Sequence, residues 1–408
     1  MAASSSSLKI DECTALEMVK KGATLLLLNV PQFTLFGIDT QIFSVGPNFK
    51  GLKMVPPGTH FIYYSASNKE GNHFSPTVGF FITTHPAEVI IRKWNPKEER
   101  LVKVSEEEEA SFSDAVKKFE FDNQLGPYPL NHYGEWKQLS NYIAEDVIAK
   151  IEPIGGEISV VHESWLIDKV PLTTMEMQLV EQLKDSKFSK PVSENIEKRR
   201  CYYSSIPHIV KERSQFGEDL TSMNLDKTRL LETILMKEYK GEEDLLLGEL
   251  QFSFIAFMMG QSLEAFLQWK ALVSLLFSCI EAPLKTRSRL FIKVIRVVYS
   301  QLKYGFHKEN TNKENMDKGF SLLLDDEWIA KDVFLFRLCK EFIPLVLEAQ
   351  VVDGDLLLWT RKLKGLLETT FGWDFNHSLA DAMDEDDEFA PVIVLPGDAV
   401  PSEDRTSQ

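Results

Sequence analysis

The hydrophobic period of this chain changes partway along, and that switch constrains its fold more than any other feature. Up to about residue 120 the apolar residues come in short runs closed by glycine or proline. From about residue 218 to 375 they recur every three or four positions. Short alternating runs belong to strands and a 3.6-residue period to helices, and a segment written for one does not settle as the other. A strand block followed by a helix block predicts an α+β multidomain chain, not an alternating parallel sheet. The length of 408 residues leaves room for two or three cores.

In the first block, Ala23 to Val30 is an apolar run ended by Pro31. Thr59 to Ser65 follows the turn signal Pro56-Pro57-Gly58. Val78 to Thr83 and Glu88 to Trp94 are separated by His85-Pro86. Glycines and prolines between 37 and 58 break any helical period. Residues 12 to about 120 are therefore expected to be mostly β, a small sandwich or barrel entered by a short helix at 14 to 22. Tyr133, Trp136, Leu139, Ile143, Val147 and Ile151 then mark one face of a helix that ends by Gly155-Gly156. Further helices are expected over 227–239, 243–260, 263–280, 285–304, 326–349 and 355–371, an antiparallel bundle or short solenoid without a fixed-period repeat. The resulting division is a disordered N-terminus (1–11), a β-rich domain ending in a helix (12–168), a linker region (169–216), an all-helical domain (217–375) and an acidic flexible tail (376–408).

Charge sharpens this division. A formal charge of −16 argues against a chain that tracks a phosphate backbone. The linker is the exception, with eight Lys/Arg against four Asp/Glu over 184 to 215. There Lys198-Arg199-Arg200 beside Tyr202-Tyr203 offers cations and rings to RNA; a flexible hinge is the competing reading and the one the overall acidity favours. The tail carries nine acidic residues and one arginine, and the run Asp384 to Glu388 is expected to be solvated. Within it, Pro391, Val392, Ile393, Val394 and Leu395 form an isolated β-branched segment. Such a segment can add to the open edge of a partner's sheet or fold back onto the chain's own β-domain.

Constellations for catalysis do not assemble. His162-Glu163 lacks the second histidine of a zinc-protease helix, because position 166 is Leu. Gly260-Gln261-Ser262-Leu263-Glu264 lacks the second glycine of a nucleophile elbow, and neither phosphate-binding glycine loop occurs. Cys13, Cys201, Cys279 and Cys339 are not at metal-ligand spacing and suit a reducing compartment. His60 and His85 are expected to be structural. The helical stretch Glu249 to Ile280, with Phe252, Phe254, Phe257, Phe266, Trp269 and Leu272, is expected to be core. Residues 1 to 8 show neither the basic region nor the apolar core of a secretory signal, so none is expected, and the apolar stretch Leu250 to Leu263 is too short for a bilayer. The expectation is a protein without catalytic residues, metal or cofactor, off the membrane, that works by binding another protein.

A set of ordered motifs resembles one family. They are Leu28-Asn29-Val30-Pro31, Phe36-Gly37-Ile38-Asp39, Val45-Gly46-Pro47 with Phe49-Lys50-Gly51, and Met54 to Phe61. Gly79-Phe80-Phe81, Leu125 to Pro129, Leu247-Gly248-Glu249-Leu250-Gln251-Phe252, Glu264-Ala265-Phe266 with Trp269-Lys270, Trp373-Asp374-Phe375 and Ala390 to Pro396 continue the series. Together they are similar to the AAR-two proteins, spliceosome assembly factors, over residues 20 to 396. The basic linker and the acidic run at 384 to 388 have no counterpart in that pattern. The resemblance implies a β-rich N-terminal domain, an all-α VHS-like C-terminal domain and no enzyme activity. It implies binding to Prp-eight, the scaffold of the U-five small nuclear ribonucleoprotein, through that scaffold's RNase H-like and Jab/MPN-like domains. Residues 391 to 395 would help bridge the two by strand pairing. Other U-five components would be partners, direct RNA contact is not expected, and the free chain would be a monomer of cytoplasm and nucleus. Phosphorylation at Ser189, Ser193, Ser204 or Ser205 is a candidate means of weakening the grip, by pairing with Lys198 to Arg200.

Overall fold

The computed structural model describes residues 17–18, 20–68, 70–71, 73–161, 163, 199–207, 225–311 and 334–375. Two five-stranded sheets make up the N-terminal part. The first has the order β8-β7-β1-β4-β9 and contains β1 (Ala23–Leu28), β4 (Gly51–Val55), β7 (Val89–Asn95), β8 (Arg100–Lys103) and β9 (Gly126–Pro127). The second has the order β10-β6-β5-β2-β3, from β2 (Leu35–Ile38), β3 (Gln41–Ser44), β5 (Gly58–Ser65), β6 (Val78–Thr84) and β10 (Ile158–Ser159). Of the two expected forms, sandwich or barrel, this is the sandwich.

Alternation along β5 sets the layers. Ile62 and Tyr64 join the core between the sheets, with Leu25 and Leu27 of β1 and Phe36 of β2. Phe61 and Tyr63, on the opposite face, join the core of the helical domain. Both faces of this strand are covered, which is why its sequence lacks the polar half of a solvent-facing strand. The first sheet is mixed: β1 runs antiparallel to β4 and parallel to β7.

The outer face of that sheet, Leu26, Leu28 and Ile91, is covered by α1 (Glu106–Lys117) through Phe112 and Val116. This helix interrupts a region expected to be mostly β. Ser105 caps it by accepting from the Glu108 N–H (3.3 Å), and Glu106 to Glu109 lie at its positive end. Only a thin apolar stripe faces the sheet, too narrow to show a period. Of the helix expected over 14–22, residues 17, 18, 20 and 21 are described and helical, and Gly22 is described outside the helix.

A second correction concerns residues 133 to 151. One helix was expected; the structure has two, α2 (Tyr133–Ser140) and α3 (Glu145–Ile151), divided by a turn. The helical domain follows with α4 (Thr228–Tyr239), α5 (Glu243–Met258), α6 (Leu263–Phe277), α7 (Ser288–Thr311), α8 (Phe334–Leu347) and α9 (Gly354–Phe371). These match the expected segments to within a few residues, save that α7 runs seven residues past the expected end at 304 and that 326–333 lie outside the described residues. Within the stretch Glu249 to Ile280, Phe252, Phe254, Phe257, Phe266, Trp269 and Leu272 are all buried, as expected of core, while Ile280 at its end is exposed. The apolar core runs without a gap from Phe61, Phe81 and Trp136 into Phe252 and Phe257. Among the described residues no helix is long and apolar enough to cross a membrane.

Candidate functional site

One constellation looks catalytic at first sight. Asp39 occupies the two-residue β2–β3 hairpin with φ of 54°, a left-handed conformation that aspartate tolerates. The turn aims its carboxylate inward. Oδ1 accepts from the Phe61 N–H (2.9 Å); Oδ2 accepts from the Tyr128 hydroxyl (2.5 Å) and from His60 Nδ1 (2.7 Å). His60 Nε2 lies 2.6 Å from the Pro56 carbonyl oxygen. Both ring nitrogens therefore face acceptors and both donate, which is the imidazolium form. Burial alone would lower the His60 pKa. The Asp39 charge, its hydrogen bond and the Pro56 carbonyl outweigh that, and the pKa is raised. A general base needs a free nitrogen, and His60 has none. The network holds the hairpin to β5 and is structural, as expected for His60. Among the described residues, no group of three or more His, Cys, Asp or Glu is placed to hold a metal ion.

The polar groups that matter to the architecture lie along the seam between sandwich and helices, and residues 247 to 252 of α5 supply two that are central, Glu249 and Gln251. A Cβ on Gly248 would sit 2.6 Å from the Tyr142 carbonyl oxygen, so only glycine lets α5 approach the α2–α3 turn this closely. Three residues on, Gln251 fills that turn. Its Oε1 accepts from the Tyr142 N–H (2.8 Å), and its Nε2 donates to the Gln138 carbonyl (3.1 Å) and Asn141 Oδ1 (2.8 Å). These bonds satisfy backbone groups that a continuous helix would have paired internally, which is why the expected single helix is two. Phe252 stacks on Phe81 of β6, ring centroids 4.4 Å apart. Nearby, the Thr77 hydroxyl donates to Gln261 Oε1 (3.0 Å).

Glu249, fully buried, grips the chain between the two halves. Its carboxylate accepts from the Ser204 N–H (2.8 Å), the Ser204 hydroxyl (2.7 Å) and Gln268 Nε2 (2.8 Å), with Lys150 Nζ at 3.4 Å. Lys150 also donates to the Glu238 carbonyl (3.1 Å) and lies over the Tyr239 ring. Glu264 accepts from the Cys201 N–H (3.3 Å) and from Arg200 (3.4 Å). Tyr203 packs edge-on against Phe252. Glu163 binds the start of α6, accepting from the Leu263 N–H (2.8 Å), the Glu264 N–H (3.1 Å) and the Ser262 hydroxyl (2.5 Å). Burial dominates there and raises the Glu163 pKa to about 8, against those hydrogen bonds.

These contacts correct the expectation of a flexible hinge at its described part. Within 199 to 207, residues 200 to 204 are a strip docked on α5 and α6, because α5 and α6 present carboxylates where the strip presents N–H groups. Ser204 is buried with its hydroxyl committed to Glu249, so a kinase does not reach it in this fold; Ser205 is exposed. Ser189, Ser193 and Pro391, Val392, Ile393, Val394 and Leu395 lie outside the described residues. Gly248, Glu249 and Gln251 were not singled out as functional from their chemistry. The signal was available: a Glu and a Gln in the middle of a helix that is apolar all round must have partners.

Comparison with known proteins accounts for both sides of this seam. Residues 21–153 match the AAR2 N-terminal domain, and residues 203–376 match the AAR2 C-terminal repeat region. The Protein AAR2 homolog of Mus musculus is 28% identical over 402 residues, covering 95% of this chain and 97% of that protein. That of Caenorhabditis elegans is 30% identical over 376 residues, covering 88% and 96%. The A1 cistron-splicing factor AAR2 of Saccharomyces cerevisiae is 23% identical over 286 residues, covering 69% and 76%. Both halves are matched in order on the two sides of the seam, the second match beginning within the docked strip: the chain belongs to the AAR2 family.

Proposed function

We propose that this chain is a non-enzymatic splicing factor that assists assembly of the U-five small nuclear ribonucleoprotein. It would hold the Prp-eight scaffold by its RNase H-like and Jab/MPN-like domains, with residues 391 to 395 pairing as a strand between them. The observation that carries this reading is family membership across both halves, with a yeast relative named as a splicing factor. The seam supports it physically. A body whose halves share one core presents two surfaces at a set separation, so binding one raises the effective concentration of the other. The free chain is proposed to be monomeric and to work in cytoplasm and nucleus, where other U-five components join. A phosphate on Ser189, Ser193 or the exposed Ser205 would then act through Lys198 to Arg200.

The test is a pull-down of the two scaffold fragments with the full chain and with a chain ending at Glu388. Loss of the ternary complex on truncation supports the bridging strand, and retention assigns the contact to the folded parts. No binding by either form refutes the proposal. RNA binding through the linker gains no support from the geometry, because Arg200 is held by Glu264 and Tyr203 lies against Phe252.

A further inference from the structure

The linker is the basic segment that the sequence displays, but the fold builds a second one from helices distant in the chain. From Ser288 to Gly305, α7 carries Arg289, Lys293, Arg296 and Lys303 and no acidic residue. From Leu356 to Leu367, α9 carries Arg361, Lys362 and Lys364, again with none. The two helices pack together. Lys293 is paired with Asp244 and Lys364 with Glu368. Among the described residues no carboxylate pairs with Arg289, Arg296, Lys303 or Lys362, and all four are exposed. Arg289, Arg296 and Lys303 are spaced by sevens, so they line one stripe of α7. At its centre the Arg296 guanidinium lies 4.9 Å from the centre of the Trp359 ring, Lys362 Nζ lies 4.2 Å from it, and Tyr299 meets it edge-on. Exposed cations are thus held in place on a half-buried aromatic shelf, in a protein of formal charge −16.

We infer that this face of α7 and α9 is the intramolecular dock of the acidic run Asp384 to Glu388. Charge complementarity selects the occupant: five consecutive carboxylates meet a stripe whose cations lack carboxylate partners among the described residues. Chain length permits it. Trp359 lies twelve residues, or about 18 Å, before the end of α9 at Phe371. The eight residues 376 to 383 span at most about 28 Å when extended, so the run can return to the ring. A tether of that length places the carboxylates near the stripe at an effective concentration on the order of millimolar. Because Pro391 follows the run by three residues, docking holds the strand-forming segment against the helical domain, and a partner that captures this segment must compete for it. The inference stands independently of the partner proposed above.

Zero-length carbodiimide coupling of the full-length protein tests it, because that reagent joins a carboxylate to an amine only when they are in contact. Intrachain crosslinks are expected from 384–388 to Lys303 and Lys362, above those to other exposed lysines. They should fall several-fold as salt rises from about 0.05 to 0.5 M. They should fall likewise in Arg296→Gln, which leaves both reporting lysines in place; an unchanged melting curve shows that this variant is folded. An even spread over all exposed lysines, or crosslinks only in a dimer band, overturns the assignment. So does oligouridine binding that Arg296→Gln abolishes in a protein where no such crosslink forms, since the face then belongs to nucleic acid.

Discussion

Replacing Gly248 by alanine separates helix propensity from packing. In an exposed helix interior the change stabilises by about 1 kcal/mol. At Gly248 the new methyl would lie 2.6 Å from the Tyr142 carbonyl oxygen and 2.6 Å from Val147 Cγ2. The carbonyl belongs to a turn that Gln251 holds by three hydrogen bonds, so it cannot retreat without loosening them. Overpacking of this kind costs about 1–3 kcal/mol. Set against the propensity gain of about 1 kcal/mol, the expected net is a destabilisation of up to about 2 kcal/mol, centred near about 1 kcal/mol. Gly365 of α9 is the control, because a Cβ there meets nothing within 4 Å and Gly365→Ala should stabilise by up to about 1 kcal/mol. The assay is urea unfolding followed by the fluorescence of buried Trp136 and Trp269, which lie on the two sides of the seam. With a slope of about 2–3 kcal/mol per molar, the Gly248→Ala midpoint should fall by about 0.5 M and the Gly365→Ala midpoint should rise by about 0.3 M. If Gly248→Ala also raises the midpoint, the close approach of α5 to the turn is not what fixes the seam.

Three further outcomes follow from the same contacts. Glu249→Ala strands the Ser204 N–H and leaves Lys150 without its buried carboxylate, so it should cost about 3–5 kcal/mol and speed tryptic cleavage at Arg199 and Arg200; unchanged cleavage would show that the strip is held by something else. Phe81→Ala removes the stack on Phe252 and should cost about 3–5 kcal/mol in thermal or urea unfolding, with a loss under 1 kcal/mol counting against a shared core. The Glu163 carboxyl, raised from 4.5 to about 8, keeps its proton when folded at pH values where the unfolded chain has released it. Stability from this group is therefore full below about pH 4.5, declines as pH rises to about 8 and is level above. Glu163→Gln should flatten that decline in a pH series of unfolding midpoints, and an unaltered pH profile would rule the linkage out.

The elements legible in the sequence were those whose signal is local. The aromatic run of β5, the long apolar stretch of α5 and the three-to-four spacing of α7 need no knowledge of neighbours, because composition, period and turn residues act within a few positions. α1 escaped notice because it faces the sheet with a thin stripe. The α2–α3 break was illegible for a different reason: its cause, Gln251, lies more than 100 residues away.

The sequence by itself determined the strand block, the helix block, their order, and the absence of familiar catalytic spacings. Its ordered motifs also carried the family. Tertiary structure alone decided that the two blocks share a core, that Glu249 and Glu264 dock residues 200 to 204, that His60 is enclosed by Asp39 and Pro56, and that Arg296, Trp359 and Lys362 meet on one face. Each of these depends on at least one contact between residues far apart in the chain, and the polar ones on a partner for a buried or aromatic-bound group. A local pattern shows that such a group will need a partner once buried, but only the packed fold brings the partner within 3 Å.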